Sequence, residues 1–312
     1  MLTAVLIAAV YLIVCLAFAV RDFGKYLKTR TETEIREHAV LNVYSEAEIA
    51  AEPALGTVKL YHFPSADGKK GPCVIYLPGG SYKTCHPRDV CFAAAEEASR
   101  TGCSAFVLTY RVGKDAKNLA PVSDAAAGIR FLLAHAEELN VDMGGYMLTG
   151  FSAGGHLAAL FASEEGCGKV GVPRPAALGL AYPVIHATQG FFESWNVIED
   201  FVNTSGRRRC MRSMLGRGAA REEREKMNAE TLVTHDYPPV FMVQGGADFL
   251  ARPKNNAALM ASALRKMDVP CEYRLYPDLT HGFGIGSGTP AEGWNRDAIR
   301  FWLKKRPRPT AD

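Results

Sequence analysis

The residues best equipped for chemistry are Gly150-Phe151-Ser152-Ala153-Gly154, which stand between the apolar run Tyr146–Thr149 and the helical run AGGHLAALFAS. A serine at a strained strand-to-helix turn projects its hydroxyl clear of the sheet, and small neighbours let the backbone pass closely. A bare G-x-S-x-G in a chain with 29 glycines arises readily by chance; one with a strand before it and a helix after it does not. A serine hydroxyl is a poor nucleophile until an imidazole takes its proton and a carboxylate fixes that imidazole's tautomer. Both partners stand downstream. Asp248 follows the strand-like run Val240–Gln244 through Gly245-Gly246-Ala247, and His281 follows the run Cys271–Tyr276 through Pro277-Asp278-Leu279-Thr280. Asp278 is the reserve acid. Leu77-Pro78-Gly79-Gly80-Ser81-Tyr82 closes an early apolar strand with a Gly-rich turn whose N–H groups could face a developing oxyanion. Gly79, Gly80 and Ser81, with the N–H of Ala153, are the candidate oxyanion and substrate-binding residues. A phosphate-binding loop does not fit, because no Lys-Ser/Thr follows and no G-x-G-x-x-G is present.

These groups need a scaffold that brings loop ends together. The 312 residues are 48% hydrophobic and 22% charged with mean hydropathy −0.05, the balance of a chain able to bury a large core. Strand-like runs at Val58–Phe63, Cys73–Leu77, Ala105–Tyr110, Tyr146–Thr149, Ala177–Tyr182, Val240–Gln244 and Cys271–Tyr276 alternate with amphipathic stretches near Asp89–Arg100, Val122–Leu139, Ala153–Ser163, Asn255–Met267 and Ala291–Lys304. Such alternation predicts an α/β domain with a mostly parallel central sheet flanked by helices. In open α/β sheets ligand sites form at the carboxyl ends of strands, where Ser152, Asp248 and His281 all fall.

Residues 186–237 break the rhythm with Arg207-Arg208-Arg209 and the run REEREK from Arg221. They read as a small helical insertion, either a cap over the site or a solvated charged helix. His156 falls one helical turn after Ser152 and reads as a packed histidine. His86, His186 and His235 have no partner legible in the sequence.

Met1–Val20 carries no charged side chain and is close to the length that spans a bilayer. The expected organisation is a segment 1–20, a polar juxtamembrane linker 21–53, a catalytic domain 54–306 and a tail 307–312. Arg21, Lys25, Lys28 and Arg30 follow the apolar run. Basic residues mark the cytoplasmic flank, so a single-pass anchor with the body in the cytoplasm is expected. Export after cleavage beyond Ala17 and Ala19 is the alternative. Eight cysteines without a C-x-x-C pair read as free thiols rather than zinc ligands, and no metal or cofactor is expected. A formal charge of +3 without a concentrated basic surface argues against a nucleic-acid partner. The sequence specifies no oligomeric state.

The segments YLPGGSYKTCHPRD, FVLTYRVG, GFSAGGHLAA, AYPVI, QGGAD and THGFG resemble those of the α/β-hydrolase esterases, in the branch of xylan and acetyl esterases and hormone-sensitive-lipase-like carboxylesterases. The order Ser, Asp, His agrees with that fold. The resemblance spans about Thr57 to Leu303. It implies Ser152 as nucleophile, His281 as general acid/base, Asp248 as orienting acid, and Gly80, Ser81 and Ala153 as oxyanion donors. The implied activity is hydrolysis of small acyl esters, acetylated carbohydrates among them. A serine peptidase of the same fold is the alternative within enzymes, and a membrane-tethered non-catalytic binding protein is the alternative outside them. Two departures stand out. Ser81 occupies a position where relatives commonly carry a third Gly, and Phe249-Leu250-Ala251-Arg252-Pro253 replaces a Val-Pro step. Ser81 and Tyr82 are expected to narrow the acyl pocket and favour short acyl groups.

Overall fold

The computed structural model describes residues 2–28, 39–188 and 196–306, with residues 2–4 and 22–28 as helical backbone only. The runs rich in Val, Ile, Leu, Ala and Phe form one eight-stranded sheet from β1 (Ala39–Asn42), β2 (Lys59–Phe63), β3 (Gly71–Leu77), β4 (Ser104–Leu108), β5 (Val141–Phe151), β6 (Ala177–Ala181), β7 (Val240–Gly245) and β8 (Cys271–Tyr276), in the order β1-β2-β4-β3-β5-β6-β7-β8. β2 runs antiparallel to β1 and β4, and the remaining pairs are parallel. Every residue of β4, β6 and β7 is buried. Layers on both faces explain why these strands are continuously apolar instead of alternating.

Side chains that alternate along each strand feed two cores. On one face Ile75, Leu148 and Leu180 meet α4 (Ala120–Ala134), α5 (Ala153–Phe161) and α8 (Ala257–Lys266) through Ile129, Leu157 and Met260. On the other, Val74, Met147 and Phe241 meet α3 (Cys91–Arg100) and α9 (Trp294–Lys305) through Phe92, Trp294 and Trp302. Two large apolar layers hold the parallel strands rigid, so the loops at their carboxyl ends keep fixed positions.

The stretch 21–53, expected to be a linker, instead supplies β1 and the short helix α2 (Glu46–Ala51) to the domain. β1 is a largely exposed edge strand of only four residues, too short to stand out as an apolar run. It is held by polar contacts remote in sequence: Tyr44 donates to Asp124 Oδ1 at 2.8 Å, and Arg111 pairs with both Asp124 and Glu52. The Ser45/Glu48 capping box opens α2. Residues 29–38, 189–195 and the tail 307–312 lie outside the described residues.

α1 (Leu2–Lys28) exposes Val5, Ile7 and Ile13, and touches the body where the carbonyl of buried Cys15 accepts from Asn196 Nδ2 at 3.1 Å. Its side chains are described for residues 5–21, a rise of about 25 Å against a hydrocarbon core of about 30 Å. Among the described residues no helix is long and apolar enough to cross a membrane.

Candidate active site

Ser152 sits between β5 and α5 at φ 53°, ψ −115°. A non-glycine residue in that region costs on the order of 1–3 kcal/mol and persists only where its surroundings impose it. The imposition is visible. The Ser152 N–H donates to Ala181 O of β6 at 3.0 Å. A Cβ at Gly154 would lie 2.1 Å from Leu77 O and 2.5 Å from Pro78 O, so α5 can start against the end of β3 only with glycine there.

His281 Nε2 lies 2.8 Å from Ser152 Oγ, and His281 Nδ1 lies 2.7 Å from Asp248 Oδ2. The carboxylate only accepts, so Nδ1 carries the proton and Nε2 presents a lone pair to the serine hydroxyl. Asp248 accepts three further bonds: Gln244 Nε2 donates to Oδ2 at 2.7 Å, and the N–H groups of Leu250 and Ala251 donate to Oδ1 at 2.9 and 2.8 Å. The Phe249–Pro253 loop, although it departs from the family pattern, therefore cradles the acid. Asp278 is exposed, and it is Asp248 that faces His281. Gln244, at the end of β7, escaped the sequence reading because a glutamine in an apolar strand carries no periodic signal.

The loop after β3 brings Gly79, Gly80 and Ser81 to the same cavity as Ser152 and His281. Gly80 takes φ 134°, and a Cβ there would fall 2.0 Å from Thr84 O. Among the described residues the N–H groups of Gly79, Gly80 and Ser81 donate to no backbone carbonyl. They and the Ala153 N–H, the first of α5, remain able to receive an anion. Tyr82 does not narrow the pocket as expected. Its side chain is buried, and its hydroxyl donates to His156 Nδ1 at 2.8 Å while His156 Nε2 donates to Met227 O at 2.8 Å. At φ 54° its backbone turns the ring inward, a reversal that residue type does not announce. Burial pushes His156 down to about 4, so this histidine is neutral and structural.

The insertion forms α6 (Val197–Leu215) and the short helix α7 (Arg221–Glu225). α6 covers the site: Asn203, Gly206, Arg207 and Cys210 line the cavity of about 320 Å³ above Ser152. α7 buries no residue and is the solvated charged helix. The cap is fastened to the acid's own loop. Arg252 pairs with Asp200 and Glu199 of α6, all three largely buried, and Asn203 Nδ2 donates to Phe249 O. Cys210 Sγ donates to Ser81 O at 3.0 Å, joining the cap to the oxyanion loop. The rest of the wall is mixed, with Val90, Phe151, Tyr182 and Leu250 beside Lys83, His86 and Arg209. His86 thus belongs to the site, while His186 and His235 lie against Glu230 and Met267 O. All eight cysteines are free. Among the described residues no group of His, Cys, Asp and Glu is arranged to hold a metal ion.

The arrangement can perform attack by an activated serine hydroxyl, with proton return by His281 and backbone donors at the developing oxyanion. A family model of the alpha/beta hydrolase fold matches residues 74–285. The chain is 28% identical over 265 residues to endo-1,4-beta-xylanase B of Butyrivibrio fibrisolvens, covering 81% of this chain and 39% of that protein. It is 25% identical over 246 residues to an acetylxylan esterase of Xylanibacter ruminicola, covering 79% and 48%. The chain thus spans less than half the length of these curated relatives. The crystal structure of an acetyl ester-xyloside bifunctional hydrolase from Caldicellulosiruptor lactoaceticus superposes with TM-score 0.70 at 25% identity, covering 86% of this chain and 97% of that one.

Proposed function

The chain belongs to the alpha/beta hydrolase fold family, and from that premise we propose that it is a serine carboxylic-ester hydrolase acting through an acyl-enzyme on small acyl esters, acetylated carbohydrates in particular. The observation that carries this reading is the continuous hydrogen-bonded chain from Ser152 Oγ through His281 to Asp248 beneath a covered cavity. In this reading Ser152 attacks the ester carbonyl while His281 Nε2 takes its proton. The N–H groups of Gly80, Ser81 and Ala153 receive the oxyanion, and His281 then protonates the departing alcohol. Water repeats the sequence in reverse to release the acid. A cavity of about 320 Å³ is at the small end of ligand sites, in keeping with a short acyl group on a compact alcohol. The acetylxylan esterase and acetyl ester-xyloside hydrolase relatives support acetyl as that group.

Fluorophosphonate labelling followed by hydrolysis of p-nitrophenyl acetate, butyrate and octanoate and of acetylated xylo-oligosaccharides tests this. Labelling should vanish in Ser152→Ala, and kcat should fall by about 10³-fold or more in Ser152→Ala and His281→Ala. Native-like turnover in either variant, or preference for octanoate, would overturn the reading.

We further propose, from the sequence of the segment alone since no described helix is long and apolar enough to cross a membrane, that Met1–Val20 is retained as a single-pass anchor with the body in the cytoplasm. The support is the uncharged apolar run and the four basic residues that follow. Intact mass and protease accessibility in spheroplasts check it, and a mature N-terminus at Val20 would refute it.

A further inference from the structure

The arginines of the insertion belong in only small part to the cavity above Ser152. Beside that cavity lies a second one of about 620 Å³, and Arg207 stands in the wall of both. Among the described residues its wall carries five arginines, Arg207, Arg208, Arg212, Arg221 and Arg224, against one carboxylate, Glu225. Glu225 is engaged by Arg221 at 2.6 Å along one turn of α7. Arg212 and Arg224 are exposed and have no carboxylate partner among the described residues. Gly216 and Gly218, at φ 88° and 89°, line the same cavity in the connection from α6 to α7 and add no side chain that would fill it.

Guanidinium groups gathered around one concavity repel one another, and a counter-charge placed among them relieves that repulsion. The guanidinium fork matches the oxygens of phosphate in bidentate geometry, and one monovalent anion would compensate only one of the two charges of Arg212 and Arg224. The volume lies within the range of small-molecule sites. The charges face a hollow instead of forming a track along the surface, which suits a compact ligand better than a polynucleotide. We infer that this cavity between α6 and α7 is a binding site for a multivalent phosphate-bearing anion. The inference does not depend on ester hydrolysis. The phosphate could belong to a soluble metabolite or to a lipid headgroup, since α6 is also the element that touches α1 through Asn196 and Cys15.

Isothermal titration of the full chain in neutral detergent, with inorganic pyrophosphate in one arm and monomeric dihexanoyl phosphatidate in the other, tests the site. At least one arm should show one-to-one binding that weakens as salt is raised. Binding should weaken at least about tenfold in the double variant Arg212→Gln/Arg224→Gln, which removes two charge-assisted contacts. Both side chains are exposed, so the variant should fold and keep its basal activity toward p-nitrophenyl acetate. Ser152→Ala should bind like the native chain, which separates this site from the hydrolytic one. Binding of phosphatidate alone assigns the phosphate to a lipid, and binding of pyrophosphate alone assigns it to a soluble ligand. Heat in neither arm, or an unchanged dissociation constant in the double variant, overturns the inference.

Discussion

Asp248→Asn isolates the role of the acid without changing its size. The aspartate accepts four hydrogen bonds, two at Oδ2 from His281 and Gln244 and two at Oδ1 from the Leu250 and Ala251 amides. An asparagine offers one acceptor and one donor. Facing its amide nitrogen toward Leu250 and Ala251 would set a donor against two buried N–H groups that have no other acceptor, at roughly 1–3 kcal/mol each. The carbonyl oxygen therefore stays with the backbone, and the amide nitrogen turns to His281. There it can only donate, so His281 Nδ1 must become an acceptor and the proton must move to Nε2. Nε2 then has no lone pair for the Ser152 proton. The expected loss in kcat is about 10⁴-fold, with the site's geometry otherwise retained. Stability should change little, because the loss is one bond at Gln244, about 1–2 kcal/mol. Steady-state hydrolysis of p-nitrophenyl acetate, with urea unfolding as the control for folding, measures both quantities. Asp278→Asn, altering an exposed side chain, should leave kcat within a factor of about two. Asp248→Asn within tenfold of the native enzyme, or a severe loss in Asp278→Asn, would refute the tautomer argument.

Replacing Arg252 by Met should cost about 3–5 kcal/mol, because it leaves the Asp200 and Glu199 carboxylates largely buried without their partner; urea unfolding checks this, and a loss below about 1 kcal/mol would show that α6 is held by other contacts. His156, held down to about 4 by burial, makes stability depend on pH. The unfolded histidine titrates near 6.5, so below that value the unfolded chain binds a proton the folded chain refuses. Its contribution is complete above pH ~6.5 and should fall by about 3 kcal/mol as pH drops toward 4. Urea unfolding at a series of pH values should show a shallower acid loss in His156→Gln, and parallel curves would contradict the assignment.

The sequence by itself determined the inner strands β3 to β7, legible as apolar runs because strands covered on both faces lose the polar alternation, whereas β2 and β8 are mixed in character and legible from their alternation and their place in the β/α rhythm. It also determined the turn at Ser152. Gly150, Ser152 and Gly154 must sit at fixed spacing for α5 to start against β3, and the close approach of Gly154 to Leu77 O is the physical content of that spacing. Ser152, Asp248 and His281 were legible as candidates because each follows a strand end, where a parallel sheet collects its loops. Packing settled the remaining choices. Asp248 and Asp278 lie on comparable loops, and which one faces His281 depends on how the β7 and β8 loops cross, including the two amides that Leu250 and Ala251 aim at Asp248. Tyr82 could have pointed at the substrate; a positive φ and the buried His156 turned it inward. β1 is a four-residue, exposed edge strand, too short to stand out in the sequence, and its place beside β2 is reinforced by Tyr44 meeting Asp124, eighty positions away. The cap likewise lies over the site through Arg252 meeting Asp200 and Glu199. Periodicity records which face of an element is buried, whereas a polar contact between distant residues depends on distances that exist only once the elements have packed.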